Sequence, residues 1–174
     1  MGAAWPEPVE RVSSFLRESG AEARIHEFPD GTPTAADAAA AVGCELDQIV
    51  KSLVLVCDER PVVALVPGDR RVDPEKVARA LDASSARVAS AREVADATGF
   101  APGAVAPFPL PSIDTVLMDR ALYRHPLVWA GAGSSHHIVG IAPAELGRVA
   151  RARPMDVVAD RAYDSPGGGG KTHA

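Results

Sequence analysis

The chain has 174 residues, 47% hydrophobic and 24% charged, enough for one domain with a substantial core and typical of a globular protein. Its formal net charge of −5 argues against holding long stretches of nucleic acid by charge alone, but leaves room for contact with the end of an RNA. No apolar run is long enough to span a bilayer and no signal peptide is visible, while Cys44 and Cys57 lack metal or redox spacing and fit a reducing cytosol.

Residues Pro8 to Ser19 read as a helix. Val9, Val12, Phe15 and Leu16 share one face, and Gly20 stops it. Ala23 to Phe28 is a strand with Ile25 inward, and Pro29-Asp30-Gly31 is a turn. Thr34 caps an Ala-rich helix, Ala35 to Val42, that Gly43 ends. A helical turn over Glu45 to Ile49 leads into the most strand-like run of the chain, Gln48 to Val56. Asp58-Glu59-Arg60 turns that strand back into Pro61 to Val66. Asp73 caps a helix over Pro74 to Leu81, with Pro at its first position. Ala86 to Val88 is a short strand, and Ser90 caps Ala91 to Ala97. The segment from Thr98 to Pro109 is dense in Gly and Pro. Strands are expected at Thr115 to Met118, Leu127 to Ala130 and His137 to Ile141, with Gly131 to Ser135 as a loop and Pro143 to Val149 as the last helix. The expected class is α/β: a single domain over 1–160, with a mixed sheet and flanking helices, followed by a Gly-rich tail at 161–174 expected to be disordered.

Lys51 stands near the start of that most strand-like run. A charge there must be solvated, paired or lost. It is either an edge lysine with a snorkelling stem or the cation of a pocket. Two Gly-rich segments, around Gly103 and Gly133, could bring backbone N–H groups close to a ligand, although ordinary turn chemistry explains either alone. Together with Lys51 they would suit an ester carbonyl or a carboxylate.

Other motifs fail. Gly170-Lys171-Thr172 ends like a phosphate loop, but only two residues follow, so no helix can present its N-terminus. Gly131-Ala132-Gly133 starts like a dinucleotide fingerprint, but His136 stands where the third glycine belongs. The nucleophile elbow is absent. His136 and His137 point to opposite faces of an extended segment and have no carboxylate or Cys cluster beside them, so neither a metal nor a cofactor is expected.

Five segments in order resemble the YbaK/EbsC family of aminoacyl-tRNA deacylases, the domain also inserted in bacterial prolyl-tRNA synthetases. They are Thr34 to Ala39, Gln48-Ile49-Val50-Lys51-Ser52-Leu53, the loop from Thr98-Gly99-Phe100 through Gly103 to Pro107-Phe108, Thr115 to Asp119, and Val128 to Ser134. The resemblance runs from about Ala23 to Val149. It departs at Phe108-Pro109, where many relatives carry Gly, and at Gly131-Ala132-Gly133-Ser134-Ser135-His136, unlike the Gly-x-Arg-Gly of the branch that clears Cys-tRNA. These departures leave the amino acid open.

The resemblance implies a partly barrel-like mixed sheet and a freestanding cytoplasmic trans-editing hydrolase. That enzyme would cleave the ester of a mischarged aminoacyl-tRNA with water, without metal or covalent intermediate. Lys51 would contact the substrate's amino-acid or terminal-ribose end, and amides near Gly103 would hold the carbonyl oxygen. Thr34, Ser52, Pro107, Phe108, Asp119, Gly131, Gly133 and Ser134 would bind substrate. Several roles have a plainer alternative. Thr34 is a cap first, Asp119 either orients Lys51 or caps the turn after it, and Ser134 either donates to substrate or closes a turn. Phe108 reads as a pocket wall. His26, His125 and His136 are surface or satisfied side chains, or reach the pocket mouth. Arg148, Arg151 and Arg153 are a solvated helix end or touch RNA phosphates. Partners would be the aminoacyl-tRNA 3′ end, an aminoacyl-tRNA synthetase and a second copy of the chain. The competing function is a non-catalytic module that binds an aminoacyl or nucleotide end on a synthetase.

Overall fold

The computed structural model describes residues 5–160, so the tail expected at 161–174 and the phosphate-loop look-alike within it lie outside the described residues. The elements run α1 (Glu7–Glu18), β1 (Ala23–Glu27), α2 (Ala35–Val42), β2 (Ile49–Cys57), β3 (Arg60–Pro67), α3 (Pro74–Ala80), β4 (Ala86–Val88), α4 (Ala91–Thr98), β5 (Val116–Asp119), β6 (Val128–Ser134), β7 (His137–Ile141), α5 (Pro143–Ala150) and β8 (Ala152–Met155), with 3₁₀ turns at Leu46–Gln48 and Arg120–Arg124. No described helix is long and apolar enough to cross a membrane.

The strands form one mixed sheet in the order β1-β7-β6-β2-β3-β5-β8, with β4 as a branch on β2. β2 pairs antiparallel with β3 along Val50 to Cys57, whereas β6, β5 and β8 are joined through parallel pairs. Alternation along β3 divides the core. Val63 and Leu65 face a cluster that includes Val12 and Leu16 of α1, Leu146 of α5, Phe100 and Phe108. Val62, Ala64 and Val66 face a second cluster with Val77 of α3, Leu117 and Val157. α2 packs Ala38 and Ala39 against Ile49 and Ile138.

The caps are where the side chains call for them. Thr34, Ser90 and Asp73 each accept hydrogen bonds from first-turn N–H groups, and Gly43 and Gly99 end α2 and α4 with positive φ.

Two expectations need correction. Gly131 to Ser135 is not a loop: Gly131 to Ser134 continue β6 through a bulge opposite β7. Small residues there permit close approach of α1, because a Cβ on Gly133 would lie 2.9 Å from the Pro8 backbone. His137 to Ile141 is not the last strand either. β8 follows α5 and pairs parallel with β5 at the end of the sheet, a position that tolerates Pro154. Its Ala-Arg-Pro-Met sequence carries no strand pattern, which is why it is silent in the sequence.

Gly133 combines φ +106° with the contact to Pro8. Gly133→Ala should therefore destabilise the protein by about 1–3 kcal/mol, read as a lower urea midpoint at unchanged m-value.

Candidate functional site

The site begins with an interruption in the sheet. On one edge of β2, pairing with β6 covers Ile49 and Val50, and pairing with β4 starts at Leu55. Between them, the Ala89 N–H donates to the Val54 carbonyl at 2.9 Å. The Ile49 carbonyl accepts from Gly68 on the β3 side, so odd residues of β2 turn their polar groups to β3 and even ones to the other edge. Ser52 therefore aims its main-chain N–H and C=O into the gap. Its hydroxyl oxygen is also buried, with no hydrogen-bond partner among the described residues.

A cleft of about 330 Å³ occupies this gap. The start of α2 (Thr34, Ala35, Ala38), the junction of β4 and α4 (Val88 of β4, Ala89 after it and Val94 of α4) and the loop Pro102 to Val105 form three walls. Trp129, Gly131, Ser134, His137 and Ile138 of β6 and β7 complete it. Gly103 sits in the loop with φ +84° and open space where a Cβ would be. The Ala104 N–H is used internally, on the Ala101 carbonyl at 2.9 Å; among the described residues the Gly103 N–H has no partner.

Lys51 lines the cleft and is half-buried. Its ammonium donates to the Arg70 carbonyl at 2.5 Å. Burial pushes its pKa below the ordinary lysine value; Asp69 opposes that shift and Arg71 adds to it.

Of the ten residues singled out from the sequence, Lys51, Gly103, Thr34, Ser52, Gly131 and Ser134 line this cleft. The other four lie elsewhere. Phe108 is 1% exposed and stacks on Phe15 in the core, and it lines with Pro107 a separate hollow between α1 and α5. Gly133 packs under α1. Asp119 is buried, with one carboxylate oxygen accepting from Ala121 N–H at 3.1 Å and the other from Val157 N–H at 3.0 Å, so it caps the 3₁₀ turn and does not orient Lys51. Arg148 is held by Glu145 at 2.8 Å.

Thr34 keeps its hydroxyl on Asp37, accepting from its N–H at 3.0 Å and donating to its carboxylate at 2.8 Å. His26 packs edge-on against Trp129, His125 lies 3.7 Å from Asp47, and His136 is exposed; none of the three lines the cleft.

Sequence reasoning missed His137. Its ring nitrogen Nδ1 lies 2.6 Å from the Ser134 hydroxyl, and Nε2 lies 3.7 Å from the Glu27 carboxylate. The row has a simple origin: Glu27 pairs with His137 across β1–β7, and His137 pairs with Ser134 across β7–β6. The readable signal was a two-residue hairpin turn, Ser135-His136, which puts Ser134 opposite His137. With the ring proton on Nε2 toward Glu27, Nδ1 accepts the Ser134 hydroxyl proton, while Ser134 Oγ accepts from the His136 N–H at 3.0 Å. Burial pushes the His137 pKa below its ordinary value; Glu27 opposes and His136 adds. The ring is therefore neutral at pH 7.

The protein's relatives fit this geometry. The family model for the aminoacyl-tRNA editing domain matches residues 30–149, which include every residue lining the cleft. An uncharacterized protein, YwhH, of Bacillus subtilis is 30% identical over 79% of this chain and 88% of its own length. The proline--tRNA ligase of Streptococcus gordonii is 32% identical over 71% of this chain, which spans only 20% of that enzyme. A crystal structure of a candidate trans-editing enzyme for prolyl tRNA synthetase superposes with a TM-score of 0.84 at 34% identity, covering 90% of this chain and all of that one.

Because folded His137 binds a proton less readily than the unfolded chain, stability should fall as pH drops below about 6.5. His137→Gln should flatten that slope in urea midpoints measured from pH 7.5 to 5. Equal slopes for the two proteins would contradict a buried neutral ring.

Proposed function

The chain belongs to the aminoacyl-tRNA editing domain family, and from that premise we propose that it hydrolyses the ester joining a wrong amino acid to the 3′ end of a tRNA. The observation that carries this reading is the gap in the edge of β2, which opens an apolar-walled cleft between Lys51 and the Gly103 loop. The proline--tRNA ligases among the relatives, and the neighbour described as editing for that synthetase, point to tRNAPro and its synthetase as substrate and partner. Such a reaction belongs where tRNA is charged, in the cytoplasm. With a net charge of −5, recognition would centre on the 3′ end and not on the whole tRNA.

The roles follow from the chemistry of each group. An ammonium has three donors, and Arg70 takes one from Lys51, leaving two for the ester carbonyl or the terminal ribose. The free Gly103 N–H is a second donor for the oxygen on which charge develops. The Ser134 oxygen, held by His137, can accept from the substrate's α-ammonium. Water adds to the carbonyl, helped by a neighbouring ribose hydroxyl. The ester C–O bond then breaks, the proton goes to the ribose oxygen, and free amino acid and tRNA leave. Apolar walls discriminate side chains by only about 1–3 kcal/mol per methylene, which gives a separate editing step its use.

Purified protein should hydrolyse at least one non-proline ester in a panel of tRNAPro carrying alanine, serine, cysteine or proline. Lys51→Ala should slow that reaction by about 10²-fold or more. Saturable binding with every ester left intact would instead indicate a non-catalytic end-binding module. Neither hydrolysis nor binding would remove both readings.

A further inference from the structure

The ammonium of Lys51 is fixed from outside the cleft. Its carbonyl partner, Arg70, belongs to the connection 68–73 between β3 and α3. That connection is stitched to residues 156–160, after β8. The Arg70 guanidinium donates to the Ala159 carbonyl at 2.6 Å, the Ala159 N–H to the Arg71 carbonyl at 2.7 Å, and the Asp73 N–H to the Val157 carbonyl at 2.8 Å. Val72 and Val158 form an antiparallel bridge. The C-terminal segment is itself anchored to the body of the fold. Val157 N–H donates to buried Asp119, and Lys76 of α3 reaches Asp156, Asp160 and the Val158 carbonyl at 2.8 Å. All of these C-terminal partners lie beyond the residues 30–149 that the family model matches.

We propose that residues 156–160 and Arg70 form a strap that sets the position of the Lys51 ammonium, and that Arg70 is a positioning residue acting through Lys51. A lysine is a point charge on a flexible four-carbon stem, so its location must be imposed by a partner. Here the partner is one carbonyl in a connection that lies outside the helices and named strands and whose single β-bridge is to the C-terminal segment. Three hydrogen bonds to the C-terminal segment, two backbone and one from the Arg70 side chain, hold that connection. A shift of about 1 Å in a group that must meet a reacting carbonyl can cost about 10²-fold in rate. The strap therefore couples residues remote from the cleft to the chemistry. This inference rests on the role assigned to Lys51 above.

A double-mutant cycle tests the consequence. Single-turnover hydrolysis is measured for wild type, Lys51→Ala, Arg70→Ala and the double variant, on the tRNAPro ester that wild type cleaves fastest. Arg70→Ala should slow the wild type about tenfold, with KM within about twofold, yet change the Lys51→Ala protein less than about twofold. Arg70→Lys should restore part of the loss. Ala159→Pro, which deletes the N–H donated to Arg71 without changing charge, should show the same non-additivity. Additive losses would mean that Arg70 serves the fold or touches RNA directly, and would overturn the inference.

A second measurement is independent of activity. The chain has three lysines, so the two Hε protons of Lys51 can be followed by NMR in lysine-labelled protein. They should be inequivalent in wild type and collapse to one shift in Arg70→Ala and Ala159→Pro. Unchanged spectra in both variants would refute the strap. A Lys51→Ala protein with full activity would instead refute the catalytic reading and leave the strap to be decided by the spectra.

Discussion

A strand has two edges, and β2 can fill only one of them. β3 covers one edge almost from end to end, while the other is divided between β6, which leaves after Val50, and β4, which arrives at Leu55. A peptide group buried without a partner costs free energy comparable to a lost hydrogen bond. The Ser52 peptide groups in the interval must therefore meet water or a ligand. The break in the sheet and the cleft are thus one fact, and the neighbouring elements are arranged around it. α2, the Gly103 loop and the β6–β7 hairpin each contribute a wall because each lies beside that unfilled edge.

Local signals in the sequence describe this frame well where a side chain dictates the backbone. Thr34, Asp73 and Ser90 place three helix starts, Gly43 and Gly99 place two helix ends, and the β2–β3 hairpin follows from its apolar runs. Legibility fails where tertiary contact overrides composition. Gly131-Ala132-Gly133 looks like a loop because small residues are common in loops. In the fold the same smallness lets a strand pass beneath α1, where Ala132 is fully buried. β8 is illegible because a parallel strand at the end of a sheet needs neither alternation nor β-branched residues when its partner supplies the pairing. The candidate site is legible in part for a related reason. Lys51 and Gly103 announce themselves by being out of place. Phe108 and Asp119 were drawn toward the cleft by their place in motifs, although burial and a cap fully account for them.

Lys51 is also where stability and the proposed chemistry would oppose each other. Half-burial disfavours its charge, Arg71 disfavours it further, and Asp69 restores part of the loss. A charge held this way is less screened than one in open water, and the proposed contact with a developing oxyanion would draw on that. A fully satisfied lysine would be more stable but would have no donors left. One carbonyl partner holds the ammonium and leaves two N–H donors for the proposed substrate contact.

The hairpin between β6 and β7 solves a second placement problem by register alone. Ser135-His136 is a two-residue turn, so Ser134 and His137 become facing neighbours, and β1 adds Glu27 in the same row. Three strands thereby align a hydroxyl, an imidazole and a carboxylate without any loop having to hold them. Since a one-residue slip would turn each side chain to the other face, the buried residues flanking the row, Ile138 and Val139 at 3% and 0% exposure, fix the register. The packing of the hairpin therefore carries the polar row, and His136, one position away, is left on the surface with no part in the cleft.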